Sequence, residues 1–294
     1  MVRIPFKRLF LIIKMYPPQV GYFRPESLGE ALEFLEREEA KVLAGGQSLI
    51  PMLKLRVLRP KYLVDIGGLK ELSYIKEGDT ISIGATTRHF ELASRRIRGL
   101  EILQEAASKV GDVQVRNVGT IGGSVCNADP AADYPAVLTA LDATMKVRSK
   151  KGTREVKAHD FFKGPFSVDL NPGEVLEEIR IPRLEGYRQT YRKVVRRAGD
   201  FALAGLALAI KLDSGVVKDV RIAFTGVSQG PHRAKEAEKV LRDSKLTKDV
   251  IKRASEASTS GANPPSDSRG SSWYRLEVMK RLLQTSLEVM ANES

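Results

Sequence analysis

Two short glycine-bearing stretches carry most of the chemistry visible in this chain. The first is Val42-Leu43-Ala44-Gly45-Gly46-Gln47-Ser48-Leu49, entered from Lys41 and left through Ile50-Pro51. Apolar residues running into a paired glycine predict a short buried strand closed by a tight loop. Glycine has no Cβ, so the backbone can turn through positive φ and bring its N–H groups close to a ligand. Successive exposed N–H groups in such a turn form a concave anion site. The second stretch is Thr120-Ile121-Gly122-Gly123-Ser124, reached through Arg116-Asn117-Val118-Gly119. Two such loops suit a ligand with adjacent phosphates, each loop facing the pyrophosphate from its own side. The hydroxyls of Ser48, Thr120 and Ser124 would add donors to phosphate oxygens. Neither stretch fits GxxxxGK[ST] or GxGxxG, which disfavours a P-loop or a Rossmann site.

Other reactive residue types are sparse. Asp133 has two readings that can both hold: the N-cap of a helix over 134–142, or a carboxylate accepting hydrogen bonds from ligand hydroxyls such as a ribityl chain. His89, His159 and His232 are isolated and are expected at the surface or as caps. No Ser/His/Asp arrangement with a nucleophile context is present, and no catalytic residue is assigned. The segment from Tyr191 through Arg192 and Lys193 to Phe201 reads either as an edge strand with charges in water or as a cationic, aromatic-tipped loop over a flavin ring. In the second reading a positive charge near the N1–C2 edge stabilises a reduced flavin.

The single cysteine, Cys126, excludes an intrachain disulfide and fits a reducing cytoplasm. One Cys and three His exclude a cysteine-ligated iron–sulfur cluster on this chain and argue against a structural zinc, so no metal site is expected. The 294 residues, 42% apolar, can bury the core of one large domain or two. No apolar run approaches the roughly 20 residues of a membrane-spanning helix. The net charge of +12 is spread along the chain without a block of five like charges or interleaved aromatics. That pattern favours a solvated basic surface or an acidic protein partner over nucleic acid.

These residues need elements to position them. Residues 1–14 read as an extension before Met15. Ser27 with Glu30 forms a capping box for a helix over 28–38. Strands are expected at 42–44 and 62–66, a helix at 49–55, and a hairpin from 74–75 and 80–84. Helices follow at 88–95, 100–111 and 134–142, then strands over 144–181. From about 187 three β-leaning runs form a meander at 189–195, 201–212 and 216–227. Helices at 232–242, 246–258 and 272–290 complete the chain, with a Ser/Gly/Pro-rich loop at 259–271. Strands followed by helices predict a separate α+β domain. The expected organisation is an extension (1–14), one domain (15–183) and a second (184–294).

Ala44-Gly45-Gly46-Gln47-Ser48-Leu49-Ile50-Pro51, Arg116 to Gly123, and Ala128-Asp129-Pro130-Ala131-Ala132-Asp133 together resemble the FAD-binding medium subunit of molybdenum hydroxylases. That family includes subunits of carbon monoxide, aldehyde or glyceraldehyde, and xanthine dehydrogenases. The stretch Arg196 to Ala204 resembles the start of the family's C-terminal domain. The resemblance implies an α+β, vanillyl-alcohol-oxidase-type fold: two α+β subdomains hold FAD, and a C-terminal domain of three-stranded sheet plus helices covers the ring end. It places Val42 to Leu49 and Thr120 to Ser124 at the pyrophosphate, and Val110 against the cofactor. Asp133 would take the ribityl or adenosine hydroxyls, Leu176 would pack near the ring, and Arg192 or Lys193 would sit at its polar edge. It further implies electron transfer rather than substrate oxidation, in a cytoplasmic dimer of heterotrimers. The partners would be a [2Fe–2S] small subunit and a molybdopterin large subunit, and the substrate an aldehyde or carbon monoxide. Gln47 replaces a His common in relatives and Ser124 an Asn; both keep hydrogen-bonding capacity. Cys126 is expected as a buried small hydrophobe.

Overall fold

The computed structural model describes residues 15–292, so the expected extension over 1–14 lies outside the described residues. The first subdomain contains β1 (Gly21–Phe23), α1 (Leu28–Arg37), β2 (Ala40–Leu43), α2 (Leu49–Lys54) and β3 (Tyr62–Asp65). Ser27 starts α1 by accepting the Glu30 N–H at 3.2 Å. The Glu30 carboxylate takes the N–H of Glu26 at 2.7 Å, one residue before the expected capping-box partner. The three strands are parallel in the order β1-β3-β2, which requires crossovers and leaves both turns after β2 and β3 at the same sheet end. Leu28, Ala31 and Leu32 close the sheet against Val64, Ile66 and Leu69.

The second subdomain begins with β4 (Ile75–Lys76) and β5 (Thr80–Gly84), the expected hairpin in antiparallel register. Five helices follow: α3 (His89–Ser94), α4 (Glu101–Ser108), α5 (Val113–Val118), α6 (Ile121–Asn127) and α7 (Asp133–Ala140). Then come β6 (Thr144–Ser149), β7 (Gly152–Lys157), α8 (Ala158–Phe161), β8 (Phe162–Gly164), β9 (Ser167–Val168) and β10 (Val175–Pro182). An antiparallel sheet forms in the order β4-β5-β10-β6-β7. Ile81, Ile83, Met145, Ile179 and Ile181 project from its central strands into the main core.

Two expectations change here. Residues 116–124 are not a second loop: α5 runs to Val118, two residues turn the chain, and α6 starts at Ile121. Thr120 caps α6 by accepting the Gly123 N–H at 3.2 Å, which makes the paired glycine the first turn of a helix. Asp133 does not cap α7 either; Ala132 is the N-cap and Asp133 the first helical residue. All eight residues of α7 are buried, which leaves no water to satisfy a capping carboxylate and turns Asp133 toward protein partners.

The C-terminal unit contains β11 (Arg188–Val194), β12 (Ala204–Asp213), β13 (Val216–Thr225), β14 (His232–Arg233), α9 (Lys235–Leu241), α10 (Lys248–Ala257) and α11 (Ser272–Asn292). The three expected strands form, and His232–Arg233, expected to open a helix, adds a short fourth beside β13. Side chains alternate across a strand, and here both faces are buried. Tyr191, Ala207, Ala209 and Ala223 join the main core, where α4 and α7 lie. Leu206, Leu208, Ile210, Ile222 and Phe224 join a separate core with the C-terminal helices. The loop 259–271 is pinned by buried Arg275, which donates to Leu203 O at 2.7 Å and to both oxygens of Asp267 at 2.9 and 3.0 Å. No helix among the described residues is long and apolar enough to cross a membrane.

Candidate functional site

The first glycine stretch leaves β2 at the carboxyl end of the parallel sheet. Gly45 is buried, and Gly46 has φ +69°, a left-handed conformation that favours glycine. The carbonyls of this turn are used: Gly45 O accepts the Gln47 side chain at 3.1 Å and Gly46 O accepts the Ile50 N–H at 2.9 Å. The donors are not. Among the described residues, the N–H groups of Gly45, Gly46, Gln47, Ser48 and Leu49 reach no protein acceptor. Consecutive open N–H groups with no carboxylate among them are the backbone arrangement that binds phosphate oxygens.

The second stretch spends its donors internally. Ile121 N–H goes to Thr87 O at 3.0 Å, Gly122 N–H to Ala85 O at 2.8 Å, Gly123 N–H to the Thr120 hydroxyl and Ser124 N–H to Thr120 O at 3.0 Å. Its glycines serve contact instead. A Cβ on Gly122 would stand 2.6 Å from Ala85 Cβ, whereas one on Gly123 would crowd the Thr120 hydroxyl, at 2.8 Å, closer than ordinary contact distance. The predicted pair of equivalent loops is therefore one donor cradle and one close-packed helix start.

The two stretches nonetheless meet. A Cβ on Gly45 would lie 2.4 Å from Val118 O and 2.6 Å from Gly119 Cα, so the backbones touch where only glycine fits. The position of a Gly123 Cβ is 3.9 Å from Ala44 Cβ. Two residues that the sequence reading assigned no part in the site hold this junction. The Arg88 guanidinium donates to Val118 O and, at 3.5 Å, to Gly67 O beyond β3. His89, expected at the surface, is 3% exposed, and its backbone N–H donates to Gly119 O at 3.1 Å. Its Nδ1 lies 2.9 Å from the Tyr134 hydroxyl. Burial, reinforced by the nearby Arg88 and Arg116 cations, lowers the imidazole to about 4, so it is neutral at physiological pH. Nothing in the local sequence around His89 distinguishes a buried imidazole from a surface one.

Asp133 and Lys193 come together across the two units. Lys193 Nζ lies 3.0 Å from one Asp133 oxygen and donates to the other at 3.1 Å, and both side chains are 5% exposed. Lys193 also donates to Lys109 O at 2.8 Å, and the Tyr191 hydroxyl donates to Asp133 Oδ1 at 2.6 Å. Burial raises the Asp133 carboxyl, and Lys193 and Tyr191 oppose that rise. Arg192, one residue along β11, registers with Leu206 and so shares the sheet face that packs on the C-terminal helices. Geometry thus separates the two basic residues that the sequence left equivalent. Val110 packs half-buried on the main core, and its carbonyl accepts from Arg116 at 2.9 Å. Leu176 is 2% exposed in the same core. Cys126 packs half-buried there too, and burial of its thiol pushes it up to about 12.

The donor row, the left-handed Gly46 and the glycine contact between the stretches fit the diphosphate of an extended cofactor. Comparison with known proteins shows an FAD-binding protein. Residues 18–184 match the FAD binding domain in molybdopterin dehydrogenase, and residues 189–289 match the CO dehydrogenase flavoprotein C-terminal domain. The chain is 52% identical over 281 residues to the glyceraldehyde dehydrogenase medium chain of Sulfolobus acidocaldarius, covering 94% of this chain and all of that one. It is 37% identical over 279 residues to the carbon monoxide dehydrogenase medium chain of Hydrogenophaga pseudoflava, covering 93% and 97%. A solved structure of that organism's carbon monoxide dehydrogenase, lacking the Mo-pyranopterin moiety, superposes with a TM-score of 0.89 at 39% identity, covering 92% of this chain and 96% of the other. The chain belongs to the FAD-binding medium subunits of the molybdenum hydroxylases, with FAD as its cofactor and the vanillyl-alcohol-oxidase-type fold. It is an oxidoreductase subunit.

Proposed function

We propose that this chain is the electron-transfer subunit of a cytoplasmic molybdenum hydroxylase that oxidises an aldehyde or carbon monoxide. Substrate oxidation then takes place on a molybdopterin large subunit, and electrons arrive through a [2Fe–2S] small subunit. The assembly is a dimer of heterotrimers, and an external acceptor takes the electrons away. When bound, FAD supplies a centre that holds one electron or two, which suits a junction between one-electron clusters and a two-electron acceptor. Within this chain, residues 15–183 hold the cofactor and residues 184–294 cover it.

The residues divide the work as follows. Val42 to Leu49 face the diphosphate, with Gly45 to Leu49 donating their N–H groups to it. Thr120 to Ser124 set the opposite wall by close approach, with the Thr120 and Ser124 hydroxyls as added donors. Asp133 takes a cofactor hydroxyl or fixes Lys193, and Lys193 brings positive charge toward the polar edge of the ring. Val110 and Leu176 supply apolar surroundings.

The observation carrying this reading is the row of open donors at Gly45 to Leu49, packed directly against the second stretch. The purified chain is expected to be yellow with about one flavin per chain, and to leave glyceraldehyde and carbon monoxide untouched by itself. Adding cluster- and molybdenum-bearing chains restores turnover. Substrate oxidation by the lone chain overturns the reading.

A further inference from the structure

A hollow of about 320 Å³ lies where the two units meet, at the small end of the roughly 300–1,000 Å³ that small-molecule sites span. One wall is α7 with its following turn and α8; the other is β14 and α9. The cofactor-binding domain and the C-terminal unit thus each supply part of it. None of its lining residues belongs to either glycine stretch.

The two acids of the lining are already neutralised. Glu238 accepts from Arg233 and from the Ile222 N–H at 2.7 Å. Asp142 meets Arg233 at 3.1 Å on one oxygen and Arg221 at 3.3 Å on the other. Three further cations are held loosely. Lys235 forms no ion pair among the described residues. Lys239 pairs with Glu236 at 2.7 Å and Arg242 with Asp219 at 3.4 Å, each cation half or more in water, where such pairs are weak and exchange readily. Lys235 and Lys239 stand four residues apart on α9, so they share a helix face and repel each other. The most buried residue of the lining is Thr139, 5% exposed, and its hydroxyl has no hydrogen-bond partner. A buried hydroxyl left unmet is costly. A helical threonine has two χ1 rotamers between which to aim it.

We propose that this hollow binds a small phosphate-bearing ligand, either inorganic phosphate or a phosphate monoester. Lys235, Lys239 and Arg242 hold its oxygens, and the Thr139 hydroxyl donates to it from the floor. Charge and donor count select the class. A phosphate group brings about two negative charges and three strong acceptor oxygens to a lining whose own acids are spent. A monocarboxylate brings one charge and two oxygens, and a cation is repelled by the lysine row. Bound there, the ligand ties α7 of one unit to α9 of the other and stabilises both together.

The test is calorimetric titration of the full chain with inorganic phosphate and, separately, with sn-glycerol 3-phosphate. Acetate and glycerol at matched ionic strength are the controls. Saturable one-to-one binding is expected with a phosphate and not with either control, and the tighter phosphate identifies the source. Lys235→Ala/Lys239→Ala is expected to weaken binding about tenfold or more, whereas Lys248→Ala, exposed on α10 outside the hollow, leaves it unchanged. Thr139→Val separates a ligand contact from a structural role. It is expected to weaken binding about fivefold, while the thermal midpoint without ligand holds or rises because an unmet hydroxyl has gone. Saturating ligand raises the midpoint of the wild-type chain but not of the double-lysine variant. Circular dichroism of each variant, read first, confirms that it is folded. Absence of saturable binding by both phosphates overturns the proposal. So does equal affinity in the wild-type chain and the double-lysine variant, or acetate binding as tightly as phosphate.

Discussion

Residues 44–49 and 119–124 are alike as strings, each with small residues, a pair of glycines and a serine, yet the backbone uses them in opposite ways. In the first, the carbonyls of Gly45 and Gly46 are satisfied and five successive N–H groups stay open. In the second, the N–H groups from Ile121 to Ser124 are all satisfied inside the protein, and glycine is there because Ala85, His89 and Thr120 stand where a Cβ would go. Glycine permits either exposure of the backbone to a ligand or close approach of another backbone. What decides between them is the neighbour that fills the missing side chain's place. The touch between Gly45 and Val118-Gly119 makes the two uses interdependent, since the packed stretch sets the wall against which the open one stands.

The comparison breaks most completely at Gly45. Gly45→Ala puts a Cβ 2.4 Å from a backbone oxygen, so it is expected to yield little folded protein and no bound flavin, checked by circular dichroism and flavin absorbance. His89, which holds Gly119, gives the next effect through pH. The unfolded imidazole takes a proton near 6.5 and the folded one only near 4, so the unfolded state gains protons first as pH falls. Stability is therefore expected to drop between those values, by at most about 3 kcal/mol, and to be insensitive to this group above them. Urea melts at neutral and mildly acid pH show the slope, and His89→Gln flattens it.

Gly46→Ala sharpens the contrast at lower cost. Forcing alanine to φ +69° costs about 1–2 kcal/mol, and flavin content is expected to fall well beyond what that loss of stability explains. Gly122→Ala reverses the order, lowering the thermal midpoint before it touches flavin content, because its clash is with Ala85. The smallest effect is at the cap: Thr120→Val removes the acceptor for Gly123 N–H and is expected to cost about 1 kcal/mol with flavin retained. Equal flavin losses at positions 46 and 122, at equal stability, would erase the distinction between cradle and wedge.

Much of the scaffold was legible. Helix α1 follows from its apolar spacing and Ser27, and the meander from three β-leaning runs with an Asp-Ser-Gly turn between the last two. The first stretch was placed correctly because strand, glycine pair and loop are local. The second was misread as a loop because its glycines masked a helix start, although Thr120 followed three residues later by Gly123 is an N-cap position. The union of Asp133, Tyr191 and Lys193 spans 58 and 60 residues, and only tertiary folding can bring it about. Separating Lys193 from Arg192 needed the strand register, since a one-residue step reverses the face.

The sheet of the C-terminal unit has one further consequence. Its alanine-rich face, with Tyr191, finishes the core that α7 occupies. During synthesis, then, the buried surroundings of α7 stay incomplete until the ribosome has delivered β13, some 80 residues later. The segments that match separate families are in this sense tied in folding: the C-terminal segment has a core of its own, yet a chain severed between them would leave its alanine-rich face and the packing surface of α7 both bare.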